Sequence, residues 1–251
     1  GAKQMIEDGL FELFPADCIF GLHNFPDTPQ GHFAIHTGPV MASFDCFEIT
    51  LNGQAAHAAM PHLGNDVLLA GAHLVTALQS VVSRNVNPAD PAVLSITQIH
   101  GGDTWNALPD SVVLRGTFRC FKQATQQLIE KRIRQLVESI ALGFSLEAKM
   151  SINPENAGYP VTCNTDTETA IAIEVAQELV GIEQVDLHAP PSMGSEDFAF
   201  MLQEKPGCYV WLGNGSSDGE CLLHNPHYDF NDEILTVGAT YWVKLVERIL
   251  N

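Results

Sequence analysis

The chain has 251 residues, enough for one large domain or two ordinary ones, and 45% of them are hydrophobic, so a sizeable core is expected and disorder is not. Thirty acidic residues against 12 basic ones leave a net charge of −18, which repels phosphate backbones and anionic lipid and argues against nucleic-acid and membrane partners. Six widely spaced cysteines, with no CxxC, point to buried thiols in a reducing, cytoplasmic compartment, although spacing alone leaves a disulfide set open. The opening GAKQMIEDGLFELF has neither the basic start nor the apolar stretch of a secretory signal, and it begins as if in mid-helix, which suggests a piece of a longer chain. No run of about 18 apolar residues occurs, so no membrane-spanning helix is expected.

Residues 3–10 have helical spacing, with Met5, Ile6, Leu10 and Leu13 on one side. Residues 17–22 (DCIFGL) read as a short strand ending at His23-Asn24, residues 25–31 as turn, and residues 32–36 as a second short strand. From residue 44 the pattern is regular. Strands are expected at 44–51, 92–100, 110–121 and 145–152, and amphipathic helices at 66–82 and 123–142. This β-α-β-β-α-β order is the ferredoxin-like unit, so residues 43–153 are expected to form a domain of their own. Beyond it, helices at about 166–180 and 234–250 and a strand at 207–213 alternate as in an α/β layer. Ser195 is placed to cap a helix running to about Leu202. The ferredoxin-like unit therefore sits between two parts of one α/β catalytic domain, residues 1–42 and 154–251.

Chemistry has few places to sit. The stretch GQAAHAAMPH carries His57 among small residues, a loop in which a backbone can approach a ligand and an imidazole can project. His23 and His224 each follow an apolar run and each precede Asn, as LHN. Neutral imidazoles where strands end are ligands for zinc-like metals, while structural hydrogen bonding of two unrelated histidines is the competing reading. Arg119 can hold a carboxylate with two parallel hydrogen bonds, and Asn106 can donate to a substrate oxygen or shape the turn before Pro109. Glu196 and Asp197, at a helix start, suit its dipole and read as structural.

In order, the chain contains GLHNFP, GPVMAS, GQAAHAAMPHLGND, SITQIHGGD, NALPD, LRGTFRCF, PPSMGSEDFAF and LHNPHYDFND. Together these resemble the hippurate hydrolase and indoleacetyl-amino-acid hydrolase group of the aminoacylase/carboxypeptidase metallopeptidases, across essentially the whole chain. The resemblance implies a zinc-peptidase-like α/β domain that binds two divalent ions, zinc or manganese, and an inserted ferredoxin-like lid that forms a homodimer. It implies that His23 and His224 are metal ligands and that His57 stabilises the oxyanion in the partner subunit's site. It also implies that Asn106 and Arg119 bind the carboxyl end of a small N-acyl amino acid, with Met193 and Gly194 walling the pocket. A metal-bound hydroxide would attack the amide carbonyl in such an enzyme. The family's CGHDGH-type and PAEEG-type motifs, which supply the other ligands and the general base, do not occur in this sequence. The expectation is therefore an amidohydrolase fragment that binds few or no metal ions and is inactive alone. The alternative is a non-catalytic dimerising domain.

Overall fold

A computed structural model describes residues 1–26, 28–215 and 223–250. In chain order the elements are α1 (Ala2–Glu7), α2 (Leu10–Leu13), β1 (Ile19–Pro26), β2 (Phe33–Ala34), β3 (Gly38–Met41), β4 (Asp45–Asn52), β5 (Ala56–His57), α3 (Val67–Asn85) and β6 (Ala92–His100). They continue with β7 (Ala107–Leu108), β8 (Ser111–Cys120), α4 (Gln123–Gly143), β9 (Glu147–Ile152), β10 (Thr162–Asn164), α5 (Asp166–Val180), β11 (Val185–Asp186), α6 (Phe198–Glu204), β12 (Gly207–Gly215) and α7 (Leu235–Leu250). Two compact units result: Gly1–Met41, Thr162–Ser192 and Glu196–Asn251 form the first, and Ala42–Val161 with Met193–Ser195 form the second.

The second unit has a four-stranded sheet in the order β6-β8-β4-β9, every pair antiparallel, which is the ferredoxin-like arrangement. Period-two alternation drives it. Along β4, Phe47, Ile49 and Leu51 are buried while Glu48 and Thr50 face the other way, and β8 buries Val112, Leu114 and Phe118 in the same sense. The apolar stripes of α3 (Val67, Ala70, Leu74, Leu78, Val81) and α4 (Ile129, Ile133, Val137) close that face into one core. The Asp66 carboxylate accepts from the Leu69 N–H at 2.9 Å, which caps α3. By length and composition α3 is apolar enough to cross a membrane, contrary to the expectation from the sequence, yet its central face is packed inside this core.

The first unit has a mixed sheet in the order β1-β12-β2-β11, with β1 parallel to β12 and β12 antiparallel to β2. Strand β12 is apolar on both faces because both are covered. Cys208, Val210 and Leu212 pack with Phe33, Ala172, Val175, Tyr241 and Leu245, whereas Tyr209 and Trp211 pack with Val40, Phe25 and Phe198. Burial pushes the Cys208 thiol up to about 12, so it is an inert core group. The described cysteines 18, 46, 120, 163 and 208 are free. Cys163 is exposed rather than buried as expected, and Cys221 lies outside the described residues, as do most of the expected loop at 214–219 and the start of the segment at 221–226.

Three local expectations change. The first helix is broken at Gly9, whose φ of 92° only glycine adopts freely, and a short second helix follows. Strand β1 does not stop at His23 but continues to Pro26, because Phe25 stacks on Trp211 at 4.6 Å and the parallel register with β12 runs on. Ser195 does not cap α6; Asp197 occupies the N-cap position.

Candidate functional site

In the first unit, His23 sits mid-strand on β1, half-buried, opposite Trp211 of β12. Its Nδ1 lies 2.6 Å from the Asn24 carbonyl oxygen. A carbonyl only accepts, so Nδ1 carries a proton, and in the neutral ring this leaves the lone pair on Nε2, the tautomer a metal-binding imidazole needs. The Tyr209 ring lies beside His23 with centroids 6.4 Å apart, and its hydroxyl donates to Glu196 Oε2 at 2.8 Å. Burial and the Glu196 carboxylate raise the Tyr209 hydroxyl well above its ordinary value, so it remains a donor. Asp197 accepts the Ala2 backbone N–H at 2.6 Å. Both acids thus have structural partners, and these two bonds are tertiary contacts rather than contacts with the helix start that the sequence suggested.

His224 is exposed and holds φ at 68°, a left-handed conformation uncommon for a residue with a side chain. Its segment is moored to the end of β12, where the Asn214 side chain donates to the Asp229 carbonyl at 3.2 Å and accepts the Asn231 N–H at 2.9 Å. The Asn24 side chain, next to His23, donates to the Tyr228 hydroxyl and so joins the two histidine-bearing segments. The repeated LHN triplet is used in two ways. Asn24 makes that long-range bond, and Asn225 accepts the His227 N–H at 2.9 Å in a local turn. Neither the Asn24–Tyr228 pair nor the role of Tyr209 was legible, since 204 residues separate the first two and no motif marks the third.

Two neutral imidazoles are fitting ligands for divalent metal. Among the described residues, no group of three or more His, Cys, Asp or Glu side chains converges. The imidazoles of His23 and His224 are the right chemistry for such a metal, but with no third donor beside them the described residues do not close a site.

In the second unit, His57 lies on β5, which pairs antiparallel with β7 so that His57 stands opposite Ala107. The Ala58 N–H donates to the Asn106 carbonyl at 2.9 Å, bringing these two predicted residues into one ribbon. The Ala59 N–H donates to His57 Nδ1 at 3.1 Å, which leaves the proton on Nε2 and aims an N–H donor outward from an exposed ring. Small residues are a steric need here. A Cβ on Gly64 would stand 2.4 Å from the Gln54 carbonyl oxygen and 2.7 Å from the Ala56 Cβ.

Arg119, near the end of β8, donates from Nη1 to the Met193 carbonyl at 2.8 Å and reaches Ser195 Oγ at 3.4 Å. Its guanidinium carbon lies 4.7 Å from the centre of the Phe44 ring. Met193 and Gly194 thus belong to the strap that meets Arg119, and Ser195, expected as a cap, serves that strap instead.

The sequence profile of peptidase family M20/M25/M40 matches residues 1–248. A hippurate hydrolase of Campylobacter jejuni is 38% identical over 250 residues, covering 100% of this chain and 64% of that protein. An N-acetyl-L-cysteine deacetylase of Bacillus subtilis is 37% identical over 252 residues, covering 100% of this chain and 58% of that protein. The solved structure of the Bacillus subtilis YXEP protein, a dinuclear metal-binding peptidase of family M20, superposes with a TM-score of 0.80 at 32% identity, over 100% of this chain and 61% of that one. The chain spans about three fifths of the length of the curated relatives it matches.

Proposed function

This chain belongs to peptidase family M20/M25/M40, and from that premise we propose that the protein hydrolyses the amide bond of N-acyl or N-aroyl amino acids, hippurate-like compounds among them. The observation that carries the reading is Arg119, an arginine fixed by a carbonyl and an aromatic face near a strand end. Hippurate and N-acetylcysteine, the compounds in two relatives' names, share an acyl amide next to a free carboxylate. A guanidinium fork matches that carboxylate.

On this reading His23 and His224 each offer an imidazole to a pair of divalent ions, zinc or manganese. When bound, these supply Lewis-acid polarisation of the amide carbonyl and an acidified water. His57 presents its Nε2–H to the oxygen that becomes negative as the carbonyl carbon turns tetrahedral, a contribution of about 10²–10³ in rate for donors of this kind. Asn106, on the same ribbon, and Arg119 orient the carboxyl end, and Met193 and Gly194 line the pocket. The general base and other ligands belong to the part of the relatives that this chain does not span, so the 251-residue chain alone hydrolyses little or nothing.

The lid dimerises on this reading, and His57 acts in the partner subunit's site. Support comes from β6, an edge strand of its sheet with Val93 and Ile99 exposed, from Leu68 and Leu69 at the start of α3, and from the fully exposed Trp105.

The test is a chimera that supplies, ahead of Gly1, the portion of the Campylobacter jejuni hippurate hydrolase that this chain does not match. With zinc or manganese added, glycine release from benzoylglycine is expected from the chimera and not from the 251-residue chain. A folded, metal-loaded chimera without that activity would count against the substrate class, and turnover by the chain alone at ordinary enzyme rates would sink the fragment reading.

A further inference from the structure

The Arg119 guanidinium is held from two directions, and only one of its holders is a backbone group. Nη1 is engaged by the Met193 carbonyl at 2.8 Å and the Ser195 hydroxyl at 3.4 Å, while the guanidinium carbon lies over the Phe44 ring, 4.7 Å from its centre. Phe44 is itself fixed. It exchanges two backbone hydrogen bonds with Tyr159, at 2.9 and 2.8 Å, and the two rings lie 6.1 Å apart. The next residue, Asp45, is buried and accepts from the side chains of Asn153 and Gln126, at 2.8 Å from Asn153. The platform under Arg119 is therefore tied to the sheet at its main chain, and the Tyr159 ring flanks its side chain.

We propose that Phe44 is a positioning residue for substrate: it locks the plane of the Arg119 guanidinium so that, with Nη1 committed to Met193, the Nε–Nη2 edge is presented to the carboxylate of an N-acyl amino acid. The inference rests on the reading of Arg119 as the carboxylate clamp. An arginine free to rotate loses rotamer entropy on capturing a carboxylate, and stacking on an aromatic face removes much of that loss beforehand. Stacked arginine is also weakly hydrated on that face, so less water is displaced when the anion arrives.

The experiment uses the 251-residue chain and binding rather than turnover. Benzoylglycine and benzoylglycinamide, which differ only in the carboxylate, are titrated into isotopically labelled protein, with the Arg119 Nε–H resonance as the reporter. Wild type is expected to prefer benzoylglycine and to show an Arg119 signal shifted by the Phe44 ring current. Phe44→Leu should lose the ring-current shift and weaken benzoylglycine about three- to tenfold, leaving benzoylglycinamide unchanged. Phe44→Tyr should restore both, which guards against misfolding as the cause. If Arg119→Met abolishes the carboxylate preference and Phe44→Leu does not touch it, the positioning role is wrong and the clamp stands. If wild type has no preference, or Arg119→Met keeps it, the clamp itself fails and the positioning role goes with it.

Discussion

In the second unit, one uninterrupted stretch of chain supplies both layers, with α3 and α4 covering one face of a sheet whose other face carries Glu48, Thr50, Arg115 and Lys149. In the first unit, partners come from far apart. Strand β1 pairs with β12 from Ile19↔Gly207 onward, and β12 needs cover on both faces. Helix α7 also turns Leu235, Val243, Val246 and Leu250 to solvent while Tyr241 and Leu245 face inward. A two-layer fold with one polar face closes on local sequence. A strand buried on both sides depends on segments that meet only after most of the chain has been made. The second unit is accordingly expected to unfold in a transition of its own.

The largest test of that contrast is Leu114→Ala, which empties a fully buried site in the second core and should cost about 2–5 kcal/mol. Trp211 and Trp242 belong to the first unit, whereas Trp105 in the second is fully exposed in the single chain and, at protein concentrations too low for dimerisation, changes little on unfolding. Denaturation followed by far-ultraviolet circular dichroism should therefore shift, while the tryptophan fluorescence transition stays in place. A common shift in both signals would mean that the two units unfold together. Tyr209→Phe is the converse and smaller change. It removes the donor to Glu196 and should cost about 1–3 kcal/mol, read as a shift of the fluorescence transition and of only the first unit's share of the circular-dichroism signal.

The finest test concerns slope rather than size. Burial raises the Asp45 carboxyl above its ordinary value of 3.8, and the amides of Asn153 and Gln126 offset this only in part. A carboxyl raised in the folded state contributes stability in acid below its unfolded value and loses it as pH rises through the folded one. The stability of wild type relative to Asp45→Asn, which cannot titrate there, should be greatest in acid and fall toward neutral pH. A flat difference, or one that grows with pH, contradicts this account of Asp45.

The same contrast governs what could be read from sequence. Period-two and three-to-four spacings place β4, α3, β6, β8 and α4 within a few residues of their observed ends, because each buries one face of a two-layer unit. In the first unit, β1 overran its expected end because Phe25 found Trp211, a partner that no local pattern reveals. At the site, the small residues around His57 marked the loop, and the sterics at Gly64 explain them. The Phe44–Arg119 stack was invisible. It follows only from register: Asp45↔Phe118 sets the residue before β4 beside the one after Phe118, and register is a property of the folded sheet.

Strand β6 slips its pairing with β8 between Ile96 and Gln98, and a slip of this kind bends and overtwists the strand that carries it. A flat open edge would template copy after copy into a growing filament. An edge kinked near its middle offers a neighbouring strand only a short matching span, which works against such templating.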